Sequence, residues 1–104
     1  MTSSGKFKLT LVNTQSSAPP KEFELIRSEL VLGRDDGVDI VIPTPAVSRR
    51  HARLMMENNG YIIEDLGSAN GTFVNGDRLI GRRALNHGDQ IRLGQAITLN
   101  FSAP

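Results

Sequence analysis

Cysteine is absent from the 104 residues of this chain, and so is tryptophan. The lack of cysteine excludes disulfides, thiolate metal sites and cysteine nucleophiles. Small secreted domains often depend on disulfides for their stability, so this absence favours a reducing compartment. We therefore expect a cytoplasmic location.

Long apolar segments are also missing. No part of the chain approaches the roughly 18 consecutive apolar residues that a membrane-spanning helix needs. Residues 1–8 are polar and lack the apolar stretch of a signal peptide. We expect no membrane partner and no leader, and the hydrophobic fraction of 38% is enough for the core of one small domain.

An excess of either charge is missing as well, because twelve Lys and Arg residues face eleven Asp and Glu residues. Domains that bind nucleic acid usually carry a clear basic excess. We therefore expect no nucleic-acid partner, and a bound anion should be held by a few placed groups. The alternative is a nucleic-acid surface, which steeply salt-dependent binding would reveal. Its candidate residues are Arg49, Arg50, Arg53, Arg82 and Arg83.

The motifs of common enzymes are absent too. The chain contains no GxSxG elbow, no P-loop and no HExxH segment. Neither His51 nor His87 has a Ser or Asp partner at a diagnostic spacing. The adjacent carboxylates Glu64 and Asp65 lie in a strand-like segment, where their side chains should point to opposite faces. We expect that the protein is not an enzyme.

Three acidic residues lie close together without forming a metal-binding motif. Asp35, Asp36 and Asp39 lack the ligand spacing and the terminal glutamate of an EF-hand loop. Since thiolate ligands are absent as well, we expect neither a metal nor another cofactor.

What the sequence does contain is a repeated alternation of apolar and polar residues. Phe7, Leu9 and Leu11, for example, alternate with polar neighbours. This period of two is typical of strands with one buried face. The longest candidate for a helix, residues 22–32, fits strands at least as well. Similar alternation occurs at 22–25, 52–56, 90–93 and 97–101.

Turn-forming residues interrupt these segments often. Asn-Gly pairs, which favour the positive φ angles of two-residue hairpin turns, begin at Asn59, Asn70 and Asn75. The pair at Asn75 joins two short apolar segments and is the clearest hairpin. Residues 13–20, rich in Ser and Pro, are predicted to form a loop inside the domain. These features indicate an all-β fold, an antiparallel β-sandwich of roughly ten strands in two sheets with its termini close together.

The length fits a single domain over residues 1–104. We expect its core to extend over about residues 7–101, with flexible ends at 1–5 and 102–104. The sequence is also compatible with a domain that belongs to a longer multidomain chain.

Four polar residues stand at predicted loop tips, where binding residues concentrate. Arg34 follows a strand that ends at Gly33. Ser48 and Arg49 follow a Pro-containing loop, and Asn70 lies in a Gly-flanked turn. Arginine presents a planar fork to phosphate or carboxylate, serine adds a neutral donor, and asparagine pairs with a peptide backbone. The pattern predicts a site for an anionic peptide, or a surface ion pair between Arg34 and the aspartates that follow it.

The same residues carry a resemblance to the forkhead-associated (FHA) domain family. The similarity extends from Leu9 to Phe101, and residues 47–54 resemble bacterial members. It implies an FHA/SMAD-like sandwich of about eleven short strands. It also implies a module for phosphorylation-dependent protein–protein interaction, whose partner is a phosphothreonine-containing product of a Ser/Thr kinase. The matching motifs are Gly33-Arg34, Ser48-x-x-His51, Asn70-Gly71-Thr72 and Asn75-Gly76.

The resemblance also implies a role for each motif residue. Arg34 and Ser48 would contact the phosphate group. Arg49 would support the phosphate or the peptide backbone, and Asn70 would hydrogen-bond to the main chain of the peptide. The remaining motif residues would support the site structurally, and they are Gly33, His51, Gly71, Thr72 and Asn75.

Ala69 departs from the family pattern, which commonly has Ser or Thr before the asparagine to help hold the phosphate. Ser68 should point the other way if it lies on a strand. Loss of one hydrogen bond to a charged group, worth about 1.5–3 kcal/mol, would weaken binding about tenfold or more. The alternative is a structural or oligomerisation module that binds independently of phosphate and has a degenerate phosphate site.

Overall fold

A computed structural model describes residues 6–12, 21–95 and 97–104 of the chain. The N-terminal end at 1–5 and the predicted loop at 13–20 lie outside the described residues. Within these ranges every regular element is a strand, and none of the described residues forms a helix that could cross a membrane.

Eleven short strands make up the described fold, which confirms the all-β prediction. Each is between two and six residues long, because turn-forming residues recur along the chain. In chain order the strands are β1 (Phe7–Val12), β2 (Lys21–Leu25), β3 (Glu29–Gly33), β4 (Ile40–Val41), β5 (Ala52–Glu57), β6 (Gly60–Asp65), β7 (Thr72–Val74), β8 (Asp77–Arg78), β9 (Arg82–Ala84), β10 (Gln90–Leu93) and β11 (Ile97–Ser102).

The strands form two sheets that pack face to face around one core. The larger sheet has the order β2-β1-β11-β10-β7-β8, and the smaller has the order β4-β3-β5-β6-β9. The first strand pairs with the last in the larger sheet, so the two ends of the domain lie side by side, as predicted. Among the described strands, all pairings are antiparallel except that of β3 with β4.

The parallel pairing of β3 with β4 was not predicted from the alternating pattern. Residues 34–39 return the chain to the side of β3 so that Leu32 pairs with Ile40. Asp39 stabilises this return because its Oδ2 accepts the Val31 N–H at 2.8 Å. The Ile42 N–H then donates to the Gly33 carbonyl at 2.7 Å, which fixes the start of the next loop.

The segment that was long enough for a helix forms two strands of different sheets. β2 ends at the buried Leu25, and β3 places Leu30 and Leu32 in the core. Between them, the Ile26 side chain is 77% exposed, which a helix with a continuous apolar stripe would not produce. The chain therefore changes sheets at residues 26–28.

The core consists of the inward-facing residues of both sheets, as the period of two requires. Tyr61 and Phe101 are its largest fully buried side chains. The Phe7 ring meets the Tyr61 ring edge to face, with centroids 5.1 Å apart, which is a favoured aromatic geometry. The other large, fully buried apolar side chains are Leu9, Leu32, Val47, Leu54, Ile63, Val74, Ile91, Leu93 and Leu99.

The hairpin predicted at Asn75-Gly76 joins β7 to β8, with φ angles of 52° and 88° at its two central residues. Both φ angles are positive, as in the two-residue hairpin turns that Asn-Gly favours. At Asn59-Gly60 the turn is formed one residue earlier, by Asn58 and Asn59, and Gly60 begins β6. Asn70-Gly71 lies between β6 and β7, which belong to different sheets, so it forms no hairpin.

The last strand continues past Phe101. Ser102 pairs with Lys8 of β1, and the Ala103 N–H donates to His87 Nδ1 at 3.1 Å. The paired part of the chain therefore includes residues beyond the expected limit of the core.

Candidate functional site

Arg34 lies directly after β3, and its backbone and side chain are both fixed by the loop formed by residues 42–51. Its N–H donates to the Ser48 carbonyl at 3.0 Å, and its Nε donates to the Val47 carbonyl at 3.0 Å. The two terminal amino groups have no acceptor among the described residues, and the side chain is exposed. The guanidinium group of Arg34 is therefore fixed in position through Nε, and its terminal N–H groups can donate to an external anion.

The alternative of a surface ion pair for Arg34 fails within the part of the chain that the structure describes. Asp39 pairs with Arg27 at 3.1 Å, and Asp35 accepts the Gly37 N–H in a local turn. Arg34 has no carboxylate within ion-pair distance among these residues.

Gly33 allows the close approach that places Arg34. A Cβ atom at this position would lie 2.0 Å from the Arg49 carbonyl oxygen and 3.1 Å from the Arg50 Cα. Real Cβ atoms do not come this close to backbone atoms, so any other residue would push the two segments apart. Glycine is required here by contact with the loop rather than by its own φ angle.

Ser48 is oriented by two hydrogen bonds, one from its backbone and one to its side chain. Its N–H donates to His51 Nδ1 at 3.1 Å, and its Oγ accepts the Ala69 N–H at 3.0 Å. Because a hydroxyl can accept and donate at once, the Ser48 O–H remains able to donate to a bound oxygen. Ala69 thus takes part in the site through its backbone although it has no hydroxyl.

His51 is fully buried and links the loop at 42–51 to the start of β7. Its Nδ1 accepts the Ser48 N–H, and its Nε2 donates to the Gly71 carbonyl at 2.8 Å. Only the neutral ring with its proton on Nε2 satisfies both contacts, so the neighbours select this tautomer. The His51 carbonyl also accepts the Leu66 N–H at 2.9 Å, which ties in the β6–β7 loop.

Asn70 lies at the exposed tip of the β6–β7 loop. Its Nδ2 donates to the Ala46 carbonyl at 2.9 Å. A side-chain amide has two N–H groups and one carbonyl, so one N–H and Oδ1 are left for a peptide backbone. Gly94 supports this position, because a Cβ there would lie 3.2 Å from the Asn70 Cβ and 3.0 Å from the Ala46 carbonyl.

Asp65 holds the β6–β7 loop together from the end of β6. Its carboxylate accepts N–H bonds from Gly67 and Ser68 and O–H bonds from Ser68 and Thr72, at 2.6–3.0 Å. Burial acts to raise the pKa of Asp65, but these hydrogen bonds outweigh it and hold the pKa below the ordinary value of 3.8. The Ser68 hydroxyl also accepts the Gly71 N–H, so it serves the loop and not a ligand.

Asn75 stands at the other end of β7 from the loop tip. Its Nδ2 donates to Asp89 Oδ1 at 2.9 Å, and its Oδ1 accepts the Gln90 N–H at 2.9 Å. Asp89 is buried and also accepts the Asn86 N–H at 2.8 Å. Asn75 therefore anchors the β7–β8 hairpin to β10, and the structure does not bring it to the loops that hold Arg34 and Ser48.

Arg49 and Arg50 lie in the loop before β5 and not at the start of a strand, so the expected alternation of their side chains does not apply. Both are exposed. Arg49 lines a shallow depression of about 370 Å³ together with Arg34, Asp35 and Asp36. Of the two, Arg49 is the one that shares a surface with Arg34.

All three of the other candidate nucleic-acid residues have carboxylate neighbours. Arg53 is hydrogen-bonded to Glu29 and Glu64, while Arg82 lies 3.7 Å from Glu64. The hydrogen bond from Arg53 lowers the pKa of Glu64 and, in turn, raises that of Arg53. Arg83 approaches Asp77 at 3.9 Å.

Glu64 faces outward and Asp65 faces the loop, so the two adjacent carboxylates do point in opposite directions.

Sequence reasoning missed several groups that hold the site. The carbonyls of Val47 and Ala46 orient the side chains of Arg34 and Asn70, respectively. Any residue type could supply these carbonyls. Asp65 could have been found, because an aspartate followed two residues later by glycine and then serine is typical of an Asx turn.

These features define a class of protein, a β-sandwich that presents hydrogen-bond donors on loops at one end. Arg34, Ser48 and Asn70 reach that end from three separate loops, and His51 joins the loop of Ser48 to that of Asn70. No group of three His, Asp or Glu side chains in the described ranges is arranged to hold a metal ion.

Known proteins identify the family. The FHA domain model matches residues 30–94. The glycogen accumulation regulator GarA of Mycobacterium tuberculosis is 40% identical over 72 residues, which cover 69% of this chain and 44% of GarA. The FHA domain of the CT664 protein from Chlamydia trachomatis has a TM-score of 0.84 at 29% identity, covering 93% of this chain and 96% of that one. The chain belongs to the FHA domain family.

One similar structure contains a ligand of the expected kind. Mycobacterium tuberculosis EmbR in complex with a low affinity phosphopeptide has a TM-score of 0.78 at 30% identity, covering 91% of this chain and 24% of EmbR. This chain spans less than half the length of GarA. The similarity is therefore that of one domain to parts of longer proteins.

Proposed function

We propose that this domain recognises phosphothreonine peptides without turning them over. The observation that carries the proposal is the coupling of Arg34 to the Ser48 loop. Arg34 donates to the Ser48 and Val47 carbonyls, while its terminal amino groups and the Ser48 hydroxyl remain available as donors. A phosphate group carries about −1.5 to −2 charges and three acceptor oxygens, which match this set. Arg49, on the same depression, adds a second positive charge.

Asn70 would hold the main chain of the peptide beside the phosphate. Its contact with the Ala46 carbonyl fixes the amide and leaves one N–H and Oδ1 for a backbone carbonyl and N–H. This pairing is independent of side chains, so Asn70 would contribute affinity without restricting the sequence of the partner.

A preference for threonine over serine requires an apolar contact with the threonine methyl group. Pro43, Thr44 and Pro45 line a second depression beside Arg34, of about 520 Å³. Burial of one methyl group there would favour phosphothreonine by about 1 kcal/mol.

The expected affinity is modest. Two charged contacts and one backbone contact on an open surface correspond to a dissociation constant in the micromolar range. The binding free energy would be near −8 kcal/mol. The partner would be a protein phosphorylated by a Ser/Thr kinase, met in the cytoplasm. Since the chain spans only part of its relatives, the domain would act within a longer protein.

Fluorescence anisotropy with a degenerate phosphothreonine peptide library tests the proposal. Matched threonine and phosphoserine libraries serve as ligand controls. Arg34→Ala should abolish detectable binding while leaving the fold intact, because the side chain is exposed. Arg50→Ala is the matched control, an exposed arginine in the neighbouring loop, and should bind within about twofold of the wild type. Equal binding of phosphorylated and unphosphorylated peptides would refute the proposal.

The second candidate is a phosphate-independent structural or oligomerisation module. Ala69 favours it, because this position offers no side-chain donor and its N–H is already used by Ser48. Binding to an unphosphorylated partner, or self-association, that survives Arg34→Ala would support this candidate. In the same assay, Ala69→Thr should strengthen phosphopeptide binding about tenfold if the missing hydroxyl is the cause of weak binding.

A further inference from the structure

The arginines of this domain differ in whether a carboxylate lies beside them. Arg27, Arg53, Arg82 and Arg83 each have one within 3.9 Å. In the described part of the chain, Arg78 and Arg92 have none, as is also true of Arg34, Arg49 and Arg50. Two arginines away from Arg34 therefore share its lack of a counter-charge.

Arg78 and Arg92 flank one aromatic ring. Phe73 lies between the buried Thr72 and Val74, so its side chain points outward from the six-stranded sheet. Its cross-strand neighbours are Arg92 on β10 and Arg78 on β8. Their guanidinium carbons lie 4.6 Å and 6.0 Å from the ring centroid, within the range of cation–π attraction. The ring therefore gathers two like charges on an accessible surface.

This cluster adjoins the loop that carries Asn70. The Arg78 guanidinium lies 3.2 Å from where a Cβ of Gly71 would be. The Arg92 Nε donates to the Gly94 carbonyl at 3.2 Å, and the Gly94 N–H donates to the Gly71 carbonyl at 2.8 Å. Both arginines thus contact residues that support Asn70, on the side of the six-stranded sheet.

The cluster also lies at the end of that sheet nearest the binding loops. Arg92 lies in β10 two residues before Gly94, and Phe73 lies in the middle of β7 two residues after Gly71. Thr98 and Val12 continue the same row across β11 and β1. A peptide held by Asn70 can therefore extend onto this row without leaving the surface.

We propose that Phe73, Arg78 and Arg92 form a second anion subsite, which binds an acidic group of the same peptide on one side of its phosphothreonine. This inference rests on the proposed function. Two guanidinium groups on one ring repel each other, and an anion between them relieves that repulsion while gaining charge-assisted hydrogen bonds. The acidic group is a carboxylate or a second phosphate, which share this chemistry.

Affinity measurements with three peptide sets test the subsite. All contain one phosphothreonine; the first set has neutral flanks, the second places aspartate at successive positions on either side, and the third places phosphoserine there. At low salt the wild type should bind one register of the acidic peptides about fivefold more tightly than the neutral peptide. The gain should shrink as salt is raised, because the subsite is exposed. A larger gain with phosphoserine would identify phosphate as the preferred group.

Paired variants locate the effect. The double variant Arg78→Gln, Arg92→Gln should lose the preference for acidic flanks while binding the neutral peptide within about twofold of the wild type. The matched control Arg82→Gln, Arg83→Gln removes the same charge from arginines that have carboxylate neighbours, and should keep the preference. Phe73→Leu leaves both charges and removes the ring, and should weaken the preference.

Each outcome separates the two proposals. If the neutral phosphothreonine peptide binds and acidic flanks bring no gain, the subsite is refuted and the proposed function stands. If the gain survives in the double variant, or is lost equally in the control, the anion binds elsewhere and the subsite is refuted. If no phosphothreonine peptide binds the folded wild type, both proposals fail.

Discussion

At the scale of single residues, the site depends on a position that bears no functional group. Gly33 lets β3 pass so close to the loop at 42–51 that an added Cβ would collide with the Arg49 carbonyl at 2.0 Å. That contact brings the Arg34 N–H within 3.0 Å of the Ser48 carbonyl. The relative positions of Arg34 and Ser48, the two proposed phosphate contacts, therefore depend on the lack of a side chain at Gly33.

Gly33→Ala should lower both stability and peptide affinity. Separating the two backbones costs about 1–3 kcal/mol, as overpacking does in other cores. The same separation lengthens the contacts that hold Arg34, so phosphopeptide affinity should fall about tenfold or more. Thermal unfolding and fluorescence anisotropy measure the two effects.

Gly37→Ala is the matched control for this prediction. A Cβ at Gly37 would meet nothing within 4 Å, and its φ angle is not positive. The control should unfold within about 0.5 kcal/mol of the wild type. A Gly33→Ala protein that is as stable as the control would contradict the close-contact explanation.

At the scale of elements, the β6–β7 loop is organised by one carboxylate. Asp65 accepts four hydrogen bonds from Gly67, Ser68 and Thr72, and Ser68 in turn accepts the Gly71 N–H. This chain of contacts positions Gly71, whose carbonyl accepts from His51, and thus the preceding Asn70. The loop is held by hydrogen bonds without any regular structure.

Asp65→Asn should destabilise the domain in a pH-dependent way. The amide cannot accept all four hydrogen bonds, and loss of the charge weakens the rest, at a cost of about 2 kcal/mol near neutral pH. The folded-state pKa of Asp65 is lowered from 3.8. Its stabilisation is therefore complete above the ordinary pKa and is lost as the pH falls through the lowered one.

The difference in unfolding free energy between wild type and Asp65→Asn should accordingly be constant above about pH 5 and shrink at pH values below the ordinary pKa. Denaturant unfolding between pH 7 and pH 2.5 measures it. Asp36→Asn, at an exposed aspartate, should differ little from the wild type throughout. A difference between wild type and Asp65→Asn that stays constant to pH 2.5 would show that the carboxylate is not the organising group.

The elements that local patterns determine were predictable from the sequence. The period of two predicted strands that match β1, β2, β5, β10 and β11, and Asn75-Gly76 predicted the β7–β8 hairpin, because both depend on neighbouring residues alone. The parallel β3–β4 pair and the turn at Asn58 were not predicted. The β3–β4 pair depends on the carboxylate of Asp39, and the turn depends on the register of the strands that it joins. A local sequence pattern reports neither.

The candidate site divides in the same way. The residues that present donors, Arg34, Ser48 and Asn70, could be named because their types are restricted and follow recognisable breaks in the chain. The carbonyls of Ala46 and Val47 could not, since every residue has a carbonyl and only the tertiary fold selects which ones face the site. Arg78 and Arg92 were missed because Phe73 brings them together across strands.

At the scale of the whole molecule, the proposed site lies where the two sheets meet. Arg34 and Ser48 belong to segments next to β3 and β5 of the smaller sheet. Gly71 leads into β7 of the larger sheet, and it is joined to the smaller one through His51. A ligand that contacts Arg34, Ser48 and Asn70 together would therefore bridge both sheets and oppose their separation.

Phosphopeptide binding should consequently stabilise the entire domain and not the loops alone. A ligand at about 100 times its dissociation constant adds about 2.7 kcal/mol to a protein that binds it only when folded. For a domain of this size the melting temperature should rise by about 10–20 °C. Differential scanning calorimetry measures the shift, and hydrogen exchange should show added protection in strands of both sheets, since opening either sheet would release the ligand.

The controls for this prediction separate recognition from general stabilisation. The unphosphorylated peptide should leave the melting temperature of the wild type unchanged, and the phosphopeptide should leave that of Arg34→Ala unchanged. A shift of equal size with the unphosphorylated peptide would favour the structural module, because the bridge would then not involve phosphate. Added protection confined to the β6–β7 loop would mean that the ligand contacts Asn70 without joining the two sheets, and the coupling through His51 would then carry no binding energy.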